Sequence, residues 1–239
     1  MYGRTHLHLS VQSKQKEIIN VLLEHNADAT LQDNNRNTPL HLAAQGYNLK
    51  ITEILLSYNK TIVDVQNNMD RTPLHLALTR LVSSQPVSSL LSTESLKVAQ
   101  ALLTHCANVN LQDENGNTAL HYAANHFYHL EVTEILLNHC ANVNAQNNAG
   151  DTALHSAARN GLLSTVVCLL ESGANVHLKC QHGNSALHCA AQGRAPNERI
   201  VEAVLHHGAD VNAQNNDGST PLHHAAEKIY IVIYNEVCV

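Results

Sequence analysis

Large aromatic side chains are nearly missing from this chain of 239 residues, which contains no Trp and one Phe. Apolar residues nevertheless make up 44% of the sequence, so a core can form, but it must consist mainly of small aliphatic side chains. Because small side chains let neighbouring helices approach one another, this composition predicts thin, closely stacked helices.

Basic residues are scarce as well, since 14 Lys and Arg stand against 20 Asp and Glu, for a formal net charge of −6. A chain without a basic stripe lacks the attraction to phosphate backbones that nucleic-acid binders use. No run approaches the roughly 18 apolar residues of a membrane-spanning helix, and the first residues, MYGRTHLHLS, lack the apolar segment of a signal peptide. We therefore expect neither nucleic acid nor a membrane as partner, although a bacterial secretion signal without a readable pattern stays open.

A four-residue motif, Thr or Ser followed by any residue, Leu and His, recurs through most of the chain. Its seven copies begin at Thr5, Thr38, Thr72, Thr118, Thr152, Ser185 and Thr220. Successive copies are 33, 34, 46, 34, 33 and 35 residues apart. A period of about 33 residues that carries T-P-L-H-x-A is the pattern of ankyrin repeats. The chain thus closely resembles the ankyrin-repeat family.

The residues around the motif predict where each repeat forms helices. A Thr or Ser hydroxyl can cap the first turn of a helix, and Pro tolerates the next position, as at Pro39 and Pro73. A second apolar run with helical spacing, such as Ile51–Leu56, predicts a second helix. Cys106 and Cys140 stand where other repeats end this helix with Gly or Asn, and a left-handed Cys there would be strained by about 1 kcal/mol relative to Gly. The alternating polar and apolar stretch that follows predicts an extended loop or short hairpin.

The resemblance implies an all-α repeat protein, an α-solenoid of about seven ankyrin repeats, each a helix-turn-helix with a β-hairpin or loop. The expected repeats cover residues 1–33, 34–66, 67–113, 114–147, 148–181, 182–214 and 215–239. The first is atypical, and the seventh is partial or divergent because its apolar end, residues 229–239, does not match the family's second helix. The third contains 13 extra residues, which we expect to form a Ser-rich inserted loop over residues 79–95. Such a loop would be solvated, or it would contact a partner or be modified. Ser92 or Thr93 would cap the helix that follows it.

Eighteen His and six Cys raise the question of metal or catalytic chemistry. Seven of the His end the motif, and the resemblance implies that they form local hydrogen bonds and brace one repeat against the next. The densest cluster, His177, Cys180 and His182, lacks the paired spacing of a zinc site. The chain also has no Gly-rich phosphate loop, no G-x-S-x-G and no H-E-x-x-H. We therefore expect no enzyme activity, no cofactor and no metal, and we expect reduced Cys residues in the cytoplasm or nucleus.

Stacked repeats would align their hairpin tips in a row beside a concave surface formed by the first helices. The candidate contacts with a protein partner are tip residues and residues near the motif His: Arg36, Leu42, Asp70, Leu76, Glu114, Tyr122, Asn125, Asn148, Arg159, Gln181 and His182. Leu42, Leu76 and Tyr122 are preferred as anchors, because a few central apolar or aromatic residues usually dominate the energy of an interface. Ordinary packing between helices is the alternative role for these three.

The predicted function is that of a non-catalytic, monomeric scaffold that binds a protein partner in the cytoplasm or nucleus. Two alternatives stay open. The array would be the targeting module of a host-directed effector, acting in the host cytoplasm, or of a larger regulated enzyme whose catalytic part is absent from this sequence. It would otherwise be a purely structural spacer.

Overall fold

The computed structural model of this protein describes residues 3–59, 62–79, 89–125, 130–193 and 198–227. Its helices are α1 (His6–Gln12), α2 (Lys16–Glu24), α3 (Pro39–Gln45), α4 (Leu49–Tyr58), α5 (Pro73–Leu78), α6 (Ser89–Thr104), α7 (Ala119–Ala123), α8 (Leu130–Asn138), α9 (Ala153–Asn160), α10 (Leu163–Glu171), α11 (Ala186–Gln192) and α12 (Glu198–His206). Residues 221–227 are helical as well. No strand occurs within the described ranges, so the expected β-hairpins are turns without strand pairing.

The chain divides into two compact units. The first unit comprises Met1–Tyr122 and Asn138–Ala141, and the second comprises Ala123–Leu137 and Asn142–Val239. In the first unit α1 packs against α3, α3 against α5, and α4 against α6. In the second unit α9 packs against α11, and α10 against α12. Within each unit, first helices therefore stack on first helices and second helices on second helices, which is the arrangement of an α-solenoid.

The interior of both units is aliphatic, as the composition predicted. The Leu of the motif is at most 2% exposed in six copies, Leu7, Leu40, Leu74, Leu120, Leu154 and Leu187. The paired alanines after the motif are also buried, with Ala43 and Ala44 at most 1% exposed, which lets neighbouring first helices lie close together. The seventh motif differs, because Leu222 is 75% exposed.

The extra residues of the third repeat form less loop than the sequence predicted. Helix α6 begins at Ser89, so residues 89–95 of the expected loop are helical, and Ser92 and Thr93 lie inside the helix and not at its cap. No Pro or Gly occurs from Ser89 to Thr104, so nothing in the sequence stops the helix from extending towards its N-terminus. Ser95 is buried and its hydroxyl donates to the carbonyl oxygen of Ala77 at 2.7 Å, which ties α6 to α5. Residues 80–88 and the apolar end 229–239 lie outside the described residues.

One buried hydroxyl in α4 is destabilising. Thr52 is fully buried, and its Oγ1 has no hydrogen-bond partner in the part of the chain that the structure describes. We expect Thr52→Val to raise the free energy of unfolding by about 1 to 2 kcal/mol, because it replaces an unsatisfied polar group with a methyl of similar size. Urea unfolding would measure the gain. Thr133→Val in α8 is the matched control, because Thr133 is equally buried but has an interaction partner. An equal gain in stability for Thr133→Val would contradict the explanation.

Candidate protein-binding surface

The motif residues determine where each first helix begins. In all seven copies the hydroxyl of Thr or Ser lies 2.8 to 2.9 Å from Nδ1 of the motif His. The backbone N–H of the same Thr or Ser donates to that nitrogen at 3.1 to 3.2 Å. Because Nδ1 accepts this bond, the proton of the neutral ring is on Nε2.

The second ring nitrogen connects neighbouring repeats within each unit. Nε2 donates to a backbone carbonyl oxygen of the following repeat at 2.9 to 3.1 Å, with His8 bonded to Asn37, His41 to Arg71, His75 to Asn117, His155 to Asn184 and His188 to Ser219. For these five His, the predicted bracing role is confirmed.

Burial keeps these imidazole rings neutral. It lowers the pKa of His41 and of His75 to about 4, and it also lowers the pKa of His8, His155 and His188. A neutral ring that is hydrogen-bonded through both nitrogens has no free lone pair for a metal or a substrate. Among the described residues, no three or more His, Cys, Asp or Glu side chains are grouped to hold a metal ion.

Five of the six tips are turns built around the side chain of Asp or Asn, and the sixth has Cys180 at that position. Asp33 Oδ1 accepts from the backbone N–H groups of Asn35 and Asn37, both at 2.9 Å. Asp113 Oδ1 accepts from Asn115 at 3.0 Å and from Asn117 at 2.8 Å in the same way. The equivalent residues Asn67, Asn147 and Asn215 repeat this pattern. These side chains take up the backbone donors that a strand would need, which explains why turns replace hairpins.

Within each unit, backbone hydrogen bonds join one tip to the next. In the first unit they run from the N–H of Asn68 to the carbonyl oxygen of Asn35 and from Glu114 to Met69, both at 3.0 Å. In the second unit they run from Gln181 to Ala149 at 2.8 Å and from Asn216 to His182 at 3.0 Å. The tips of each unit therefore form a row with a fixed backbone.

The close contact between two tips in the second unit predicts the effect of one substitution. A Cβ at Gly183 would lie 2.6 Å from the backbone nitrogen of Asn216, and Gly183 has a φ of +77°. We expect Gly183→Ala to lower the free energy of unfolding by about 2 kcal/mol more than Gly161→Ala, because overpacking adds to backbone strain. Gly161 is a matched control, since its φ is +75° but a Cβ there would meet no atom of the described residues within 4 Å. Thermal unfolding of both variants checks this, and equal losses would show that the tips can separate freely.

Glutamine side chains beneath the tips form a second set of connections that the sequence analysis missed. Gln66 Nε2 donates to the carbonyl oxygen of Asp70 in its own turn at 2.7 Å and to that of Gln112 in the next at 3.1 Å. Gln146 does the same in the second unit, with Gly150 at 2.7 Å and Lys179 at 3.1 Å. The sequence did contain a signal for this, because the residue before each turn Asp, Asn or Cys is Gln at five of six positions and Lys179 at the sixth. The five are Gln32, Gln66, Gln112, Gln146 and Gln214.

The predicted partner contacts fall into three groups. Six lie on the tips and are exposed, namely Arg36, Asp70, Glu114, Asn148, Gln181 and His182. Beside the first helices, Asn125 is exposed, while Leu42, Tyr122 and Arg159 are half-buried. Leu76 is wrong as a surface contact, because α3 and α6 pack against α5 and leave this side chain only 5% exposed. Gln181 is exposed, but its Nε2 already donates to the carbonyl oxygen of Asn148 at 2.5 Å.

Tyr122 holds the tip that precedes its own helix. Its hydroxyl donates to Asp113 Oδ2 at 2.6 Å, its ring meets the edge of His75 with centroids 5.6 Å apart, and the guanidinium of Arg71 lies 5.7 Å from its centroid. Burial raises the pKa of Tyr122, and the bond to Asp113 raises it further. Burial alone would raise the pKa of Asp113, but the hydrogen bonds from Tyr122 and the turn amides lower it overall. The carboxylate is therefore charged and fully engaged.

Arg159 has a comparable structural role in the second unit. Its guanidinium donates to both carboxylate oxygens of Asp151, at 2.9 and 3.2 Å, and to the sulfur of Cys189 at 3.3 Å. Burial raises the pKa of the Cys189 thiol to about 11, so the sulfur accepts this bond as a neutral thiol. Asn125 Oδ1 accepts from Nδ2 of Asn160 at 2.8 Å. The side chains beside the first helices thus support the fold in addition to lining the surface.

Stacked helix pairs, the recurring Thr and His cap and the aligned tips together point to one family. A family model described as ankyrin repeats (3 copies) matches residues 7–94, 87–180 and 158–234. The chain belongs to the ankyrin-repeat family. No helix among the described residues of this ankyrin-repeat protein combines the length and the hydropathy that crossing a membrane requires.

Two much longer proteins contain stretches similar to this ankyrin array. Over 122 residues, 51% of the chain, it is 35% identical to neurogenic locus notch homolog protein 1 of Cricetulus griseus, and the match spans 4% of that protein. Over 123 residues, 50% of the chain, it is 32% identical to the nuclear factor NF-kappa-B p105 subunit of Gallus gallus, and the match spans 11% of that protein. The chain thus corresponds to a small part of these relatives.

Solved ankyrin-repeat domains match the fold over nearly the whole chain. The ankyrin repeat domain of Bcl-3, described as a unique member of the IkappaB protein family, is 27% identical with a TM-score of 0.75, covering 94% of this chain and 95% of that one. The human ASB11 ankyrin repeat domain is 24% identical with a TM-score of 0.74, covering 94% and 93%. At that identity the second likeness concerns the fold alone.

Proposed function

We propose that this ankyrin-repeat chain binds a protein partner through its turn tips and the exposed residues beside its first helices, and that it does so without catalysis. Ankyrin repeats are in general protein–protein interaction modules. The observation that carries the proposal is the pair of tip rows, in which backbone bonds of 2.8 to 3.0 Å fix the turns while the tip side chains remain exposed.

A fixed row of tips favours binding because the turns need no ordering when a partner arrives. Ordering of loops and side chains is a major cost of association, so a preformed backbone leaves more of the contact energy as affinity. The tip side chains differ in charge and size from repeat to repeat, as Arg36, Asp70, Glu114, Asn148 and His182 illustrate. This variation on a constant backbone gives a surface that selects one partner from many.

Several further features support a scaffold that acts on proteins alone. The five motif His rings that join neighbouring repeats are neutral and hydrogen-bonded through both nitrogens, which disfavours catalysis by these rings. The net charge of −6 disfavours binding to nucleic acid. We further propose that the chain acts as a monomer in the cytoplasm or nucleus, where its Cys residues would stay reduced.

The test is capture of a partner by the immobilised chain, followed by quantitative mass spectrometry. A surface variant carries Gln45→Arg, Glu114→Arg and His182→Glu, all at exposed positions on tips or beside a first helix. We expect one stoichiometric partner of the unaltered chain to be lost from this variant, because reversed and added charges oppose the original contacts.

The matched control carries three charge reversals on second helices, Glu17→Arg, Glu131→Arg and Glu202→Arg, which are exposed on the opposite elements of the repeats. The control should retain the partner. Capture that is unchanged in the surface variant, or lost equally in both, would refute the proposed binding surface.

A second candidate is that the array is the targeting module of a larger protein, such as a regulated enzyme. The lengths of the relatives favour it, since the matched stretch is 4% of one and 11% of the other. Sequencing the transcript that contains this chain tests the idea. A reading frame that continues into a catalytic domain supports it, and a frame limited to these residues removes it.

A further inference from the structure

Two tip residues adopt a backbone conformation that their residue types disfavour. Arg36 has a φ of +58° and Asp70 a φ of +53°, both in the left-handed region. The equivalent position is glycine in the later tips, Gly116, Gly150, Gly183 and Gly218, with φ between +74° and +77°. A side chain there strains the turn, more for Arg than for Asp, which tolerates this region better.

Nothing within the described residues offsets this strain. Both side chains are exposed, and neither forms an ion pair or a side-chain hydrogen bond with another residue that the structure describes. Tyr47 shows the contrast, because its φ of +50° places a hydroxyl that donates to the carbonyl oxygen of Thr79 at 2.7 Å. The carbonyl oxygen of Asp70 does accept a bond from Gln66, but glycine would supply the same carbonyl.

The two strained residues lie on adjacent tips of the first unit. Asn68 joins these tips twice, since its N–H donates to Asn35 at 3.0 Å and its Nδ2 donates to the carbonyl oxygen of Asn34 at 3.1 Å. Arg36 and Asp70 therefore present opposite charges at the same position of neighbouring turns. Met69, directly before Asp70, is 41% exposed and adds a flexible apolar side chain.

We propose that Arg36, Met69 and Asp70 form a contact site for an extended segment of a protein partner, with an acidic side chain facing Arg36 and a basic one facing Asp70. The site deepens the proposed function and rests on it. Left-handed backbone that persists without an internal contact is typical of residues kept for binding. Cys106 and Cys140 are strained in the same way, but they carry no charge that would select a partner.

The geometry of stacked repeats sets the spacing in the segment. Neighbouring packed helices lie about 10 Å apart, and an extended chain advances about 3.3 Å per residue. Successive side chains of an extended chain point to opposite faces. The acidic and basic side chains that face the tips are therefore two or four residues apart, with an apolar residue near them for Met69.

The experiment is selection from a phage-displayed library of random peptides on the immobilised full chain. Arg36→Gly/Asp70→Gly is the key variant, because glycine is the residue that the other tips use there. Peptides selected on the unaltered chain should carry an acidic and a basic residue at this spacing. They should bind the glycine variant at least about tenfold more weakly than the unaltered chain. The glycine variant should also unfold at a higher temperature, which shows that its turns are intact.

Charge reversal gives an independent readout. Selection on Arg36→Glu, which presents two acidic residues, should enrich peptides with two basic residues. Peptides without charge preference, equal binding to the glycine variant, or no selected peptide that depends on these side chains would overturn the site. If the selected peptides bind the glycine variant as tightly as the unaltered chain but no longer bind Gln45→Arg, the proposed function stands and this site fails. If they bind both variants as tightly as the unaltered chain, both proposals fail.

Discussion

Acidification from pH 7 to pH 4 is expected to lower the free energy of unfolding by about 3 kcal/mol for each of the buried rings of His41 and His75. Both side chains are at most 1% exposed, and burial lowers their pKa from 6.5 to about 4 against the opposing charges of Asp33 and Asp113. Between pH 6.5 and pH 4 the unfolded chain binds protons at these rings and the folded chain does not. Their contribution is therefore complete above pH 6.5 and is lost as the pH falls towards 4.

Urea unfolding at a series of pH values measures this effect, and the slope of stability against pH is the informative quantity. His75→Gln should reduce the slope between pH 6.5 and pH 4.5, because one proton uptake by the unfolded chain is removed. His182→Gln, at an exposed tip, serves as the control and should leave the slope unchanged. An undiminished slope in His75→Gln would assign the acid sensitivity to carboxylates instead.

Replacing Tyr122 with Ala is expected to lower the free energy of unfolding by about 4 kcal/mol, combining a lost ring with a lost hydrogen bond to a charged group. Tyr122→Phe keeps the ring against His75 and Arg71 but leaves Asp113 Oδ2 without its donor at 2.6 Å. We expect the Phe variant to lose about 2 kcal/mol. Denaturant unfolding of both variants separates the two contributions.

The Tyr122 series also tests the role that the sequence suggested. A residue used only for partner contact could be changed with little effect on stability. Asn68 is an unsuitable control, because its Nδ2 donates to the carbonyl oxygen of Asn34. Asp70→Ala is the better control, since the Asp70 side chain has no bond to any other described residue. Its removal should change stability by less than about 1 kcal/mol. If Tyr122→Ala behaves like Asp70→Ala, Tyr122 is a surface contact and its bonds in the fold are dispensable.

The sequence predicted the parts of this fold that depend on short-range chemistry. The Thr and His of the motif are three residues apart, so their bond follows from helix geometry and could be expected without a structure. The bond from Tyr122 to Asp113 could not, because it depends on how the turn between them folds. Leu42 and Leu76 occupy the same motif position, yet one is half-buried and the other is in the core, since burial depends on what each neighbour supplies.

The start of helix α6 and the strain within the tips could not be predicted from the sequence, for similar reasons. The sequence signals a helix end only where Gly, Pro or a capping residue is decisive, and Ser89, where α6 begins, is one of several Ser residues in this part of the chain. Tip residues could be identified from their turn pattern, and they are exposed as expected. The strain at Arg36 and Asp70 could be recognised only from the backbone angles of the structure, although the missing glycine at Arg36 was visible in the sequence.

The bonds beneath the tips also determine where this chain can change in length. Each segment from the turn Asp, Asn or Cys to the motif Thr or Ser advances five residues in every repeat from Asp33 onwards, whereas the distance between motifs varies from 33 to 46. Gln66 spans one such segment and reaches the next, so an added residue there would move a carbonyl beyond the reach of its amide. Evolution and engineering can therefore lengthen this protein between the paired helices, but its turn segments must keep a constant size.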